Sequence, residues 1–187
     1  MQQICHSEFA TVFGKLAVAW EYVPEEPKIL RIELPRERPS AKQRMPSCFP
    51  GAGLAAIHPP RIKALTDSIS EFLKGEETKF DLSMIALERC PEFRRRVLLA
   101  EYEIPRGYVS TYGRIAKHLG VSGGARAIGN SLASNPFPII IPCHRAVRCD
   151  GELGGYQGGL TMKRKLLEIE GVMFTPSGRV VMNYVYY

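Results

Sequence analysis

No run of 18 or more apolar residues occurs in the 187-residue chain, so no helical membrane span is expected. The opening residues Met1 to His6 lack the charged and then apolar profile of a secretory leader, and none is expected. Cysteine is sparse: five residues, an odd number, with no CxxC pair. That excludes a disulfide framework and points to free thiols in a reducing compartment, the cytoplasm or, in a eukaryote, the nucleus. Internal repeats and low-complexity tracts are absent. With 45% hydrophobic and 24% charged residues the composition is globular, which excludes a largely disordered chain, a collagen-like chain and a coiled coil.

What is present is positive charge, unevenly placed. Residues 1–90 carry 12 Lys/Arg and 12 Asp/Glu, whereas residues 91–187 carry 13 and 7, so the whole excess of +6 lies in the second half. A basic half suits an anionic partner, nucleic acid first, although solubility alone would also account for it. Residues 9–13 and 16–20 read as β-prone runs about a turn at Gly14-Lys15, and residues 29–34 as a third strand. Residues 35–60, rich in Pro and Gly, read as irregular. Pro60 opens a helix with Ile62, Leu65, Ile69, Phe72 and Leu73 on one face and Gly75 as its stop. A second helix starts at Pro91, with Phe93, Val97, Leu98 and Tyr102 inward and Arg94, Arg95 and Arg96 solvated. Ser110 or Thr111 caps a short helix to His118, a Gly-rich stretch breaks it, and residues 125–134 form the next: a helix-turn-helix pattern, weak when taken alone. Residues 137–142 read as a buried strand, 160–170 as the last helix and 179–187 as a β-prone aromatic tail.

Cys143 invites a chemical reading. It follows an apolar run and Pro142, and His144 and Arg145 come next. Thiolate is the nucleophilic form of cysteine, and a nearby His or Arg favours it. Neighbours on a strand face opposite ways, but a turn at Cys143 lets a base reach it directly or through one water. An isolated Cys-His pair, however, is more often a small buried core cysteine. Glu170 closes the last helix among apolar neighbours, at an end where acidic residues are disfavoured. A carboxylate holding a histidine in one tautomer competes there with an ordinary solvated glutamate. Arg126, between Ala125 and Ala127, can approach a nucleic acid closely or be a plain surface arginine. Tyr112 reads as a packing aromatic with its hydroxyl at the surface.

In order and spacing, six segments resemble the O6-alkylguanine-DNA alkyltransferases, or methylated-DNA–protein-cysteine methyltransferases. They are Val109-Ser-Thr-Tyr112-Gly-Arg-Ile-Ala116, Ala125-Arg-Ala-Ile-Gly129, Asn135-Pro136, Ile141-Pro-Cys143-His-Arg145, Gly155-Tyr-Gln-Gly-Gly159 and Lys163-Arg-Lys-Leu-Leu-Glu-Ile-Glu170-Gly171. The likeness covers roughly residues 89–173; residues 1–88 agree only in general character. It implies an α/β fold in two parts. Residues 1–88 would form a small N-terminal domain of β-sheet plus helix. Residues 89–187 would form a mostly helical DNA-binding and alkyl-acceptor domain with a helix-turn-helix. The implied activity is single-turnover, irreversible transfer of the alkyl group of O6-alkylguanine, and of O4-alkylthymine, from DNA to Cys143.

The resemblance also implies roles. His144 would deprotonate Cys143 through a water, Glu170 would orient His144, and Asn135 would brace the turn that presents the cysteine. Tyr112 would help rotate the nucleotide and protonate the departing guanine. Arg126 would fill the gap in the base stack, with Thr111, Ala125, Ala127 and Gly129 also at the DNA and the second helix in the minor groove. Leu132, Arg145, Ala146, Tyr156, Gln157 and Gly158 would line the substrate pocket. No cofactor and no metal are implied. The implied partner is double-stranded DNA containing O6-alkylguanine, met by a monomer, with no membrane involved. Some members hold zinc in the first half, but Cys5, His6, Cys48, His58 and Cys90 lack the spacing.

Three positions depart from the pattern. Ala146 stands where valine is usual, with only its main chain expected to matter. Gly124 replaces a common alanine and is expected to fray the start of the second helix. Gln157 replaces a serine, with an effect expected on bulky alkyl groups. Cys149 is taken as structural. Three other readings remain at this point. A lesion-binding protein without chemistry would lack the cysteine, a sequence-specific regulator would need polar side chains on residues 125–134, and a thiol redox enzyme would use Cys149 to resolve Cys143.

Overall fold

The computed structural model describes residues 3–22, 26–35, 49, 52–55 and 58–187. The chain divides into two compact units, Met1–Leu87 with Pro136–Ile140 and Glu88–Asn135 with Ile141–Tyr187.

In the first unit, β1 (Ile4–Thr11) and β2 (Gly14–Glu21) form an antiparallel hairpin, in register from Ile4 opposite Glu21 to Thr11 opposite Gly14. Gly14 takes φ 111°, which side chains resist, and Thr11 Oγ1 donates to its carbonyl at 2.7 Å. β3 (Lys28–Glu33) pairs antiparallel with β2 across a bulge at Ala19/Trp20, and the short β4 (Gly53–Leu54) pairs parallel with β1. The order is β3-β2-β1-β4. Leu16 to Trp20 are all buried, so β2 is covered on both faces, as its unbroken apolar run demands. Apart from Phe49 and the residues around β4, the stretch 36–57 expected to be irregular lies outside the described residues.

α1 (Pro60–Lys74) begins with proline in its first turn and ends at Gly75, whose φ of 110° only glycine adopts freely. Its buried face is Ile62, Leu65, Ile69, Phe72 and Leu73, the face expected from the spacing, and it packs on β1. Each such side chain contributes about 1.5–3 kcal/mol by leaving water.

The segment 136–142 is not the strand that its apolar residues suggested. Phe137, Ile139 and Ile140 are buried, but the chain turns at Ile139, which takes φ 77°. Pro136, Pro138 and Pro142 remove three ladder donors within seven residues, which prevents a regular strand. A β-branched residue at positive φ is strained by about 1–3 kcal/mol and persists only where its surroundings over-determine it. One such constraint is the Ile32 N–H, which donates to the Pro136 carbonyl at 2.8 Å.

The second unit is mostly helical. α2 (Glu92–Glu103) follows Pro91 and buries Val97, Leu98, Ala100 and Glu101. Phe93 and Tyr102, expected inward, are only half-buried; Glu101, four residues after Val97, takes the inward place. β5 (Ser110–Thr111) leads into α3 (Tyr112–His118), where Thr111 Oγ1 caps the helix by accepting from the Arg114 N–H at 3.2 Å. α4 (Ala125–Ala133) follows, then β6 (Ala146–Val147), parallel to β5, and α5 (Gly159–Ile169). The tail makes isolated bridges, Phe174 with Val180 and Val109 with Val185, in place of a continuous strand. Val109, Val147, Leu167, Val172 and Val180 form a core beneath it. Among the described residues no helix is long and apolar enough to cross a membrane.

Gly124 does not fray α4. The Ile128 N–H donates to its carbonyl at 2.9 Å, and a Cβ on Gly124 would lie 2.5 Å from Val121 Cγ1. The small residue is what lets the α3–α4 turn close.

Ile69→Ala empties a fully buried site on α1 and is expected to lower unfolding stability by about 2–5 kcal/mol. Urea denaturation with an unchanged slope checks it; a shift under about 0.5 kcal/mol, ordinary for surface positions, would contradict this packing.

Candidate active site

Cys143 opens a short 3-10 turn, Cys143–Arg145, and is buried. Its N–H donates to the Ile141 carbonyl and the Arg145 N–H donates to the Pro142 carbonyl, both at 2.8 Å. The turn removes the strand geometry that would have thrown Cys143 and His144 to opposite faces. Asn135, just beyond α4, spans the base of the loop: its Nδ2 donates to the Ile141 carbonyl and to Cys143 Sγ, each at 3.2 Å.

Glu170, at the C-terminal cap of α5, is the second anchor. Its Oε1 meets His144 Nε2 at 2.9 Å and accepts from an Arg145 terminal nitrogen at 2.7 Å, and its Oε2 accepts from Arg145 Nε at 2.9 Å. The remaining Arg145 terminal nitrogen donates to the Ile104 carbonyl. Burial works to raise the Glu170 carboxyl, but the His144 ring and the Arg145 guanidinium together outweigh it and hold it down at about 2. Burial lowers His144 against the pull of Glu170, so the ring rests neutral.

The cysteine is not a resting thiolate. Burial pushes the Cys143 thiol up to about 12, opposed by the Asn135 hydrogen bond and reinforced by the charge of Glu101. The sequence-based expectation that neighbouring basic groups favour the thiolate therefore fails, because desolvation is larger. Cys149, taken as structural, is instead exposed and unpaired.

Tyr112 begins α3. Its ring lies 3.9 Å from where a Cβ on Gly129 would stand, and its hydroxyl 2.7 Å from that point on Gly154, where φ is 67°. The hydroxyl is packed against the loop and not simply surface-facing as expected, and burial raises it to about 12. Tyr156 meets the His144 ring edge-on at 6.3 Å, and its buried hydroxyl has no hydrogen-bond partner among the described residues. Gln157 Nε2 donates to the Asn135 carbonyl at 2.6 Å and the Ala133 carbonyl at 3.2 Å, stitching the Gly158 loop to the end of α4. Leu132, on the inner face of α4, and Ala146, after the 3-10 turn, are buried; Thr111 is held as the α3 cap. Ala125, Arg126 and Ala127 form an exposed start to α4, apart from the buried cysteine. An open groove of about 500 Å³ follows the α3–α4 turn from Gly113 to Ala125. Among the described residues no three His, Cys, Asp or Glu converge to hold a metal.

Two buried ionisable side chains lie behind the site. Lys163 on α5 donates to the carbonyls of Ala146 (2.6 Å), Leu153 and Gly155 (3.4 Å), and burial lowers it to about 8. Glu101 on α2 is wholly buried, and neither carboxyl oxygen has a hydrogen-bond partner among the described residues. Burial raises it to about 8 against the nearby charges of Lys163 and Arg145. Their helical spacing was the available signal: Glu101 falls three after Leu98, and Lys163 three before Leu166, each within an apolar stripe.

Known proteins resemble this chain in sequence and in fold. Residues 92–172 match the family described as 6-O-methylguanine DNA methyltransferase, DNA binding domain. A methylated-DNA–protein-cysteine methyltransferase of Methanothermobacter thermautotrophicus is 50% identical over 114 residues, covering 61% of this chain and 64% of that protein. One of Salmonella typhimurium is 31% identical over 173 residues, 92% of this chain and 99% of that protein. The solved structure of Mycobacterium tuberculosis OGT in complex with DNA superposes with a TM-score of 0.71 at 30% identity, covering 88% of this chain and 91% of that one.

Glu101 generates a pH prediction. Unfolded, it ionises in the usual carboxylate range; folded, it keeps its proton to about 8. Between those values the folded chain binds more protons, so this group makes stability fall as pH rises. Glu101→Gln is expected to gain stability relative to the parent from pH 5 to pH 8, read by denaturant midpoints. A difference that does not change with pH would contradict it.

Proposed function

The chain belongs to the methylated-DNA–protein-cysteine methyltransferase family, DNA repair proteins that work by direct alkyl transfer, and we propose that Cys143 is its alkyl acceptor. The observation that carries this reading is one buried set: Asn135 on the Cys143 sulfur, and Glu170 on the His144 ring.

Because burial holds Cys143 as a thiol, a base must take its proton before sulfur can attack. Glu170 engages His144 Nε2, which leaves Nδ1 to take that proton, directly or through a water. The Glu170 carboxylate then stabilises the imidazolium, as in a catalytic triad. Sulfur attacks the alkyl carbon: an S–C bond forms and the C–O6 bond breaks, its electron pair passing to guanine. A guanine anion leaves poorly, so the Tyr112 hydroxyl supplies a proton, and His144 returns one to Tyr112 through solvent. The product thioether has no hydrolytic route back, so one molecule repairs one lesion. The acceptor is the protein itself, so no cofactor carries the group. The same displacement serves O4-alkylthymine.

The partner is double-stranded DNA containing O6-alkylguanine. The lesion lies within the duplex and must be rotated out, at a cost of a few kcal/mol. Arg126, which makes no ion pair or hydrogen bond among the described residues, would fill the vacated space, and Ala125 and Ala127 would permit close approach of α4 to the minor groove. Tyr156, with its unpartnered hydroxyl, would meet the base alongside Leu132, Ala146 and Gly158. All these groups lie on one chain, so a monomer suffices.

Mixing with a duplex carrying one O6-methylguanine should add one methyl to the Cys143 peptide, stoichiometrically, by mass spectrometry; an unmodified peptide despite lesion binding would overturn the assignment. Cys143→Ser should lose transfer and keep duplex affinity. Arg126→Ala should slow repair of duplex DNA more than reaction with free O6-benzylguanine, because only the duplex has a stack to fill. Equal slowing would contradict the finger role.

A further inference from the structure

The aromatic tail has no part in the mechanism above, yet it is bound to α3 at both ends. We propose that residues 184–187 form a strap that positions Tyr112 for alkyl transfer by fixing α3. This rests on the role given to Tyr112 in the proposed function.

α3 is seven residues long and buries only Ile115 and Ala116. A helix that short does not hold itself in place, so its direction comes from outside. Ahead of it, the Val109 N–H donates to the Tyr184 carbonyl at 3.0 Å and the Tyr186 N–H to the Val109 carbonyl at 2.8 Å. Ser110 Oγ donates to the Tyr186 carbonyl at 2.8 Å. Those residues come two and three places before Tyr112. Within α3, the Arg114 guanidinium donates to the Tyr187 carbonyl. At its far end, the Tyr187 ring stacks on His118 with centroids 3.8 Å apart and planes 26° apart.

Tyr187 then ties the whole to α2. Its hydroxyl lies within reach of the Ala100 carbonyl at 2.9 Å and the Glu103 carboxylate at 2.8 Å and donates to one or the other. Tyr186 packs against the Tyr187 ring at 4.6 Å, and Tyr108 meets Tyr184 edge-on at 5.6 Å, which stiffens the segment. Tyr112 has no such attachment: no hydrogen bond fixes its hydroxyl among the described residues, and it simply fills the space against Gly129 and Gly154. Its placement therefore follows from where α3 starts and points, and the strap holds α3 at both ends, alongside the β5–β6 pairing and the packing on α4. A small displacement of a reacting group is enough to cost one or two orders of magnitude in rate.

The test is a double-mutant cycle. Deletion of residues 184–187, and separately Tyr187→Ala, are each made with and without Tyr112→Phe. Single-turnover transfer is timed on a duplex carrying one O6-methylguanine, with circular dichroism and thermal melting to establish folding. Tyr187→Ala keeps the backbone pairing to Val109 and carries the test should the shortened chain fail to fold. The expected result is a rate loss of about ten-fold with Tyr112 present and less than about two-fold beside Tyr112→Phe, since the strap acts through that tyrosine. An equal loss in both backgrounds marks a merely structural tail and overturns the proposal, as does no loss at all. Absence of transfer in the parent protein refutes the Cys143 assignment and this proposal with it, whereas tail variants at the parent rate refute the strap alone.

Discussion

One buried carboxylate organises the second unit. Glu170 leaves the end of α5 and takes hydrogen bonds from two consecutive residues of the turn that Cys143 opens, His144 and Arg145. A helix C-terminus repels negative charge, so the carboxylate depends on those partners to remain ionised where it is. The dependence is mutual. Without Glu170 the imidazole would lose the bond that fixes its tautomer, and the guanidinium would be a buried charge lacking its counterion. The 3-10 turn, the ring orientation and the end of α5 are thus set by one cluster.

Burial governs the rest of the chemistry. The Cys143 thiol, the Tyr112 phenol and the His144 ring are all pushed toward their neutral forms by loss of water. A neutral site is suited to a neutral alkylated base, and a protonated thiol is a poor target for oxidants. Lys163 and Glu101 sit behind the site and act on it at a distance: the first favours the thiolate and the second opposes it. Lys163 is satisfied by main-chain carbonyls, while Glu101 has no such partners among the described residues and burial keeps it protonated, so the two are not a simple ion pair.

The path of the chain around Cys143 is under strain, and glycine absorbs strain nearby. Ile139 accepts a positive φ four residues before the cysteine, and Gly154 accepts one where the loop presses on Tyr112. Asn135 bridges the ends of the intervening loop by bonding both Ile141 and Cys143. A loop made of prolines and a strained isoleucine has few alternative conformations.

Local order was written in the sequence. Two β-prone runs and the Gly14 turn produce the hairpin; the face from Ile62 to Leu73, with Pro60 and Gly75 at its ends, produces α1. The motifs about Cys143 named the residues that the structure brings together, Asn135, His144, Arg145 and Glu170, because each motif spans only a few positions and its order along the chain can be read directly. Other features could not be read that way. Residues 137–142 look like a strand by hydrophobicity, and three prolines forbid it. Glu101, and not its neighbour Tyr102, turned inward, because the inner position is surrounded by groups from α5 and the Cys143 turn. The Tyr187 hydroxyl finds a partner 87 residues away, at Ala100. Propensity and periodicity act over a few residues, so sequence by itself determined the elements and the chemical cast. Desolvation and partner choice depend on segments that only folding brings together, so the tertiary structure alone decided which groups carry charge and which distant residues pair.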